Sequence, residues 1–273
     1  MQTTTSNQDH DIDPDTMDFY RRVLETLNES GVPFLVGGAY AFNHYTGVNR
    51  QTRDLDLFIC RRDYERISAA VLPAGFETEL TFPHWLGKIR FRDTYIDLIF
   101  SSGNAIAEVD DAWFDHATDA EVMGIPTKFC PVEEMIWSKA FIMERERFDG
   151  ADVIHLLLTR AGEMDWQRLL ERFEPHWRIL LSHFILFGFI YPAHRNLIPT
   201  WIMDNLLERL EHEVHTDPPE IDICQGTLLS REQYLTDIHQ QGLKDGRVIP
   251  FGNMTPKDTK RWTDAIAGDH DPN

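Results

Sequence analysis

Hydrophobic residues recur at helical spacing early in the chain. Phe19, Val23, Leu24 and Leu27 share one face of a helix expected over Met17 to Ser30, with Gly31 as its C-terminal stop. Pro33 to Val36 then reads as a short apolar strand, closed by Gly37 and Gly38 and followed by a second helix over Ala39 to Tyr45. Asp54-Leu-Asp-Leu-Phe-Ile59 alternates polar and apolar residues as a strand does, which turns Asp54 and Asp56 to one face. Tyr64 to Leu72 predicts a helix and Phe76 to Thr81 an extended segment. Lys88 to Arg92 and Tyr95 to Phe100 predict an antiparallel hairpin turning at Arg92-Asp-Thr94, and a further extended stretch covers Glu121 to Phe129.

From Pro131 the period changes to that of helices, over Val132 to Glu146, Ala151 to Arg160, Trp166 to Phe173, Arg178 to Ile190 and Trp201 to Glu213. Thr216-Asp-Pro-Pro219 breaks the pattern. Ser230 to Gln241 predicts one more helix, opened by a Ser-x-x-Gln cap, and the tail from Asp245 reads as loop. Strands and helices segregated in this way give an α+β class: a small mixed sheet with flanking helices, followed by a mainly helical C-terminal region.

Composition changes this picture little. With 42% hydrophobic and 26% charged residues in 273 positions, the chain has material for two modest domains. Charge changes it more: 26 Lys and Arg against 45 Asp and Glu give −19, which disfavours long nucleic acid as a partner without excluding tRNA. Cys60, Cys130 and Cys224 are odd in number and far apart, which supports neither a disulfide framework nor a zinc knuckle. Met1 to Asp15 is polar and acidic, without the apolar core of a secretory signal, and no apolar run reaches the roughly 20 residues of a membrane span. A cytoplasmic protein without membrane contact is expected.

The candidate chemistry lies in three aspartates. Asp54 and Asp56, two apart on a strand, project from one face and can share a metal pair; Asp97 lies on a strand where Tyr95, Asp97 and Ile99 face opposite Ile96, Leu98 and Phe100. Leu55, Leu57, Phe58 and Ile59 flank the first pair as core residues, so the acids belong at the rim of a buried sheet, where like charges repel unless a cation compensates. Magnesium takes oxygen ligands, and two such ions roughly 3.5–4 Å apart can clamp a phosphoryl group in transfer. Gly37 and Gly38, between strand and helix, let backbone N–H groups approach phosphate oxygens near the positive end of the helix.

Val36-Gly-Gly-Ala39, Asp54-Leu-Asp56 and Ile96-Asp-Leu98 together resemble the DNA polymerase beta-like nucleotidyltransferase superfamily. The stretch Arg50-Gln-Thr-Arg-Asp-Leu-Asp56 is similar to the version found among AbiEii-type toxin nucleotidyltransferases and related uncharacterised bacterial proteins. The resemblance covers roughly residues 17 to 160. It implies that Asp54 and Asp56 bind both metals, that Asp97 completes one metal site and promotes deprotonation of an acceptor hydroxyl, and that Gly37 and Gly38 cradle a triphosphate. Ala39 departs from members that carry a hydroxyl residue near the phosphates. The implied cofactor is Mg2+, or Mn2+ in its place, with an NTP as co-substrate. The expected division is a disordered N-terminus over 1–16, a nucleotidyltransferase catalytic domain over 17–130, a helical domain completing the cleft over 131–215, and a C-terminal extension with one helix and loops over 216–273.

Lys139 falls in the middle of an apolar stripe formed by Val132, Met135, Ile136, Ala140 and Met143. Its stem can pack while its amine reaches solvent, or its ammonium can reach the triphosphate, as a lysine from this helix does in similar toxin-type transferases. Asp149 and Asp152 open the next helix, where the helix dipole favours acids; related sequences place an Asp near that lysine, which makes Asp152 a candidate partner. Arg50 and Arg53 either bind phosphate or acceptor, or pair with Asp54 and Asp56.

The function that follows is magnesium-dependent transfer of an NMP from an NTP to a hydroxyl or phosphate acceptor, whether small molecule, protein or tRNA. The acidity tilts towards a small or cationic acceptor, as in aminoglycoside-modifying relatives. The alternatives are a catalytically degenerate nucleotide-binding sensor or partner-binding module, and a toxin controlled by an antitoxin partner.

Overall fold

Asp13 opens the first helix, its carboxylate accepting from the N–H groups of Asp15 and Thr16 at 3.1 and 3.0 Å while Pro14 supplies a preset φ at the first helical position. Helix α1 therefore spans Pro14–Ser30, and the disorder expected through residue 16 does not extend to residues 14–16. The computed structural model describes residues 12–50, 52 and 54–269; of the expected disordered start, residues 1–11 lie outside the described residues. Gly31, at φ 66°, ends the helix as expected.

The chain divides into two compact units, Met1–Gly103 with Glu108–Pro131, and Asn104–Ala107 with Val132–Asn273. The first unit is built on a seven-stranded mixed sheet. Its strands are β1 (Leu35–Val36), β2 (Asp56–Phe58), β3 (Glu77–Phe82), β4 (Leu86–Phe91), β5 (Thr94–Ile99), β6 (Thr118–Val122) and β7 (Ile125–Phe129), in the spatial order β3-β4-β5-β2-β1-β7-β6. Strand β2 is parallel to β5 and antiparallel to β1, so the element carrying Asp56 sits in the middle of the sheet. The stretch expected to be extended from Glu121 to Phe129 is a hairpin, β6 and β7, turning at Met123 and Gly124 with φ of 53° and 79°. Helices α2 (Gly38–Thr46), α3 (Tyr64–Val71) and α4 (Asp111–Asp115) complete this unit. Its core takes the apolar face of α1, namely Phe19, Val23, Leu24 and Leu27, with Leu35, Leu57, Ile89, Ile96 and Leu98 from the sheet. Burial of such side chains, at roughly 1.5–3 kcal/mol each, is what holds the strands in register.

The second unit is mainly helical: α5 (Val132–Ala140), α6 (Gly150–Arg160), α7 (Trp166–Arg172), α8 (Trp177–Ile190), α9 (Thr200–Val214), α10 (Leu235–His239) and α11 (Pro256–Asp269), with a two-stranded parallel pair, β8 (Ile223–Cys224) and β9 (Lys244–Asp245). The helix expected over Val132 to Glu146 stops at Ala140. The backbone beyond it is engaged elsewhere: Met143 N–H donates to Leu229 O, Asp149 N–H to Ile142 O, and Met143 bridges Phe148. Similarly, Ser230 does accept from Gln233 N–H at 3.2 Å, but the helix after it is only α10. The tail expected as loop contains α11, entered through a reciprocal cap in which Thr255 Oγ1 accepts from Asp258 N–H and Asp258 accepts from Thr255 N–H. Helices α5 and α7 are tied by buried ion pairs, Glu133 with Arg168, and Glu134 with Arg168 and Arg172. Among the described residues no helix is long and apolar enough to cross a membrane.

Candidate active site

Strand register assembles the site. Glu79 pairs with Lys88 across β3 and β4, Lys88 with Asp97 across β4 and β5, and Asp97 with Asp56 across β5 and β2. Cross-strand partners project to the same side of a sheet, so Glu79, Lys88, Asp97 and Asp56 form one charged row. Gly37 continues it on the far side, its N–H donating to Asp56 O at 3.0 Å. Asp54 lies just ahead of β2, exposed, and its N–H donates to Thr52 Oγ1 at 3.2 Å. Asp56 and Asp97 are half-buried and alternate with the buried Leu55, Leu57, Ile96 and Leu98.

Electrostatics distinguish Asp97 within the row. Burial pushes its carboxyl above the ordinary value and the charge of Asp54 adds to this, outweighing the opposing effect of Lys88. Lys88 Nζ donates to Asp97 Oδ1 at 2.7 Å and lies 3.4 Å from the centroid of the Tyr95 ring, a second hold on the same ammonium. Arg90, the next outward-facing residue of β4, donates to Glu79 at 2.5 Å. Sequence reading did not single out Lys88, although a hairpin turning between Phe91 and Thr94 places residue 88 opposite residue 97.

The glycines differ in what they contribute. Gly38, with φ 53°, starts α2, and an added Cβ would lie 1.8 Å from Asp56 Oδ2, so the carboxylate sits where any other residue would carry its side chain. Gly37 is equally crowded, a Cβ there falling 2.3 Å from the Phe58 ring, and its N–H is spent on Asp56 O. The N–H groups available to an anion at the start of α2 are thus those from Gly38 onward.

Two further residues position the acids. Tyr20 of α1 donates to Tyr95 O at 3.3 Å and accepts from the Leu55 backbone; burial first, and then the charge of Asp54, raise its phenol. It therefore joins the segments carrying Asp97 and Asp54. Asn43 of α2 makes a two-point clamp on Arg50, Nδ2 donating to Arg50 O at 2.8 Å and Oδ1 accepting from Arg50 N–H at 3.0 Å. This fixes the start of the segment that leads into Asp54. The Arg50 guanidinium stacks 5.0 Å from the Phe42 ring centroid. Arg53 lies outside the described residues.

In the second unit, Lys139 Nζ donates to Asp152 Oδ2 at 2.7 Å and to Asp149 Oδ2 at 3.1 Å. Its side chain is 15% exposed and that of Asp152 only 2%, so the ammonium is a buried partner of two carboxylates rather than a snorkelling surface amine. Arg147 holds Asp149 in a bidentate pair at 3.0 and 2.9 Å. Burial works to raise Asp149, but Arg147 and Lys139 outweigh it and leave the carboxyl below its ordinary value.

Asp54, Asp56 and Asp97 offer oxygen donors only, the set a hard divalent cation takes, and the missing side chain of Gly38 leaves room for the Asp56 carboxylate. Their donor chemistry fits magnesium. They are not drawn around one point: among the described residues no group of three or more His, Cys, Asp or Glu side chains is arranged to hold a metal ion, and Asp97 is engaged by Lys88.

A central mixed sheet with a glycine turn ahead of strand-borne aspartates defines a nucleotidyltransferase. The chain belongs to the family described as nucleotidyl transferase of unknown function (DUF2204), whose model matches residues 16–176, and it is an enzyme of that class. Solved structures with a similar fold include the antibiotic-resistance factor ANT(2'')-Ia in solution, at 18% identity over 63% of this chain and 98% of the other, with a TM-score of 0.43. An antigenic nucleotidyltransferase-like protein from Paracoccidioides brasiliensis matches at 17% identity over 63% and 93%, with a TM-score of 0.38. Lincomycin-bound lincosamide antibiotic adenylyltransferase LnuA matches at 13% identity over 53% and 96%, with a TM-score of 0.37. A comparison with curated protein sequences gives no match. The family match bears out the nucleotidyltransferase resemblance read from the sequence; a specific kinship to AbiEii-type toxins is not among these findings.

Proposed function

We propose that this enzyme moves an NMP from an NTP to a hydroxyl or phosphate acceptor and depends on magnesium held by Asp54, Asp56 and Asp97. The observation that carries the reading is the pairing of Asp56 with Asp97 on adjacent parallel strands, under the charge of Asp54. At Asp97, burial and the charge of Asp54 outweigh the ammonium of Lys88, and an external cation would offset that charge. When bound, magnesium would neutralise the triphosphate and stabilise the leaving pyrophosphate.

The chain's own residues do the rest. Asp56 supplies carboxylate oxygens from β2 and Asp54 from the segment just ahead of it; Asp97 supplies another and takes the proton of the acceptor hydroxyl. The N–H groups of α2 from Gly38 onward face the phosphates at the positive end of that helix. The net charge of −19 favours a small or cationic acceptor over long nucleic acid. Incubation of the full chain with α-labelled NTPs, magnesium and an acceptor panel tests the reading. Acceptor labelling with pyrophosphate release, abolished in Asp54→Ala, supports it; nucleotide binding without turnover across the panel would identify a sensor instead.

A further inference from the structure

The charged row contains a cation that the proposed chemistry does not use. Lys88 could have paired with Glu79, its partner on β3, but Arg90 holds that carboxylate. Lys88 instead turns to Asp97 Oδ1 at 2.7 Å, and the Tyr95 ring fixes the ammonium from below at 3.4 Å. Its side chain is 13% exposed, so the pair is shielded from the bulk screening that weakens surface ion pairs. Any divalent cation drawn to Asp97 meets a carboxylate already carrying a positive charge within hydrogen-bond distance.

We propose that Lys88 is a positioning residue for the third carboxylate: its ammonium holds Asp97 Oδ1, competes with the divalent cation for that oxygen, and so sets how tightly the site takes metal. This rests on the reading of Asp54, Asp56 and Asp97 as metal ligands. Two consequences follow from charge alone. Removing the ammonium removes both a competitor for the oxygen and a repulsive neighbour of the incoming cation, so metal binds more tightly. Keeping the charge on a different side chain preserves the wild-type affinity. A lysine that merely packs its stem along β4 would lower stability when replaced and leave metal affinity unmoved.

The test uses EDTA-stripped full-length protein and Mn2+ as the probe, with free Mn2+ followed by electron paramagnetic resonance. Lys88→Met and Lys88→Gln are each expected to tighten Mn2+ binding about fivefold or more, and Lys88→Arg to stay near the wild type. The glutamine variant retains a hydrogen-bond donor and gives a second reading should the methionine variant fold poorly. Unchanged or weaker Mn2+ binding in the folded neutral variants overturns the role of Lys88, provided that Asp56→Asn and Asp97→Asn each weaken binding. Mn2+ binding indifferent to those two aspartate variants overturns the metal reading itself, and Lys88 with it.

Discussion

In the first unit Lys88 faces Asp97 in a row shared with Asp56, and the charge of Asp54 adds to the load on Asp97. In the second unit Lys139 lies between Asp149 and Asp152, with Arg147 closing on Asp149 from the other side. Both clusters pair a mostly buried lysine with aspartate, yet Asp97 is pushed up and Asp149 held down. The second cluster balances its charges internally, two cations against two carboxylates. In the first, burial and the charge of Asp54 outweigh the ammonium of Lys88 at Asp97. A closed cluster contributes rigidity; a carboxylate that its lysine does not fully offset is suited to receive a further cation.

The sharpest way to break this comparison is to remove an acid from the first cluster. Under the metal role proposed for Asp56, Asp56→Asn is expected to reduce nucleotidyl transfer on the order of 10³-fold, since a metal ligand contributes several kcal/mol of charge stabilisation, while the melting temperature stays near that of the wild type. An equal collapse of both quantities would make Asp56 a structural residue. Next comes Lys139→Met, expected to cost about 3–5 kcal/mol in urea titrations because it strands buried carboxylates. The sequence alone left open whether this ammonium reaches solvent or a triphosphate; the 2% exposure of the Asp152 side chain adds a cost in stability to its loss.

Gly38→Ala sharpens the geometry of the first cluster. A methyl group 1.8 Å from Asp56 Oδ2, at φ 53°, is expected to cost about 1–3 kcal/mol and, by displacing the carboxylate, to lower kcat up to roughly 100-fold. Wild-type kcat in this variant would show that Asp56 need not be held in place. The smallest effect concerns pH. Because the folded-state carboxyl of Asp149 is held below its ordinary value of 3.8, the stability it contributes is present above that value and lost as pH falls through the folded value. The stability gap between wild type and Asp149→Asn, measured by denaturant titration, is therefore expected to narrow below pH 3.8 and hold steady above it.

Much of this was legible in periodicity. Alternation around Asp56 and across Tyr95 to Phe100 marked β2 and β5 and the faces of Asp56 and Asp97, because one side of each strand must be apolar to pack; Asp54, expected on the same strand, lies just ahead of it. The row itself was not stated, since it needs register as well as alternation; the tight turn at Arg92 and Asp93 already encoded it and would have brought Lys88 into view. Other misses have other causes. Ala140 ends α5 because the following backbone bonds to Leu229, far along the chain, and no local pattern reports that. Tyr20 and Asn43 act through side-chain hydrogen bonds to backbone atoms, which leave no periodic trace. Helix α11 was different: Thr255-Pro-Lys-Asp258 is a readable cap that was passed over in a polar tail.

The short excursion at Asn104–Ala107 bears on how the enzyme can be handled. These residues belong with the second unit: Asn104 Nδ2 donates to Leu228 O at 2.7 Å, and Asn253 Nδ2 donates to Ala105 O at 2.8 Å. A protein truncated after Pro131 would keep the excursion and lose both of its partners, while a fragment starting at Val132 would lack it. Neither unit can be excised by a single cut, and complementation between two separately expressed halves would have to restore a segment encoded in the wrong half.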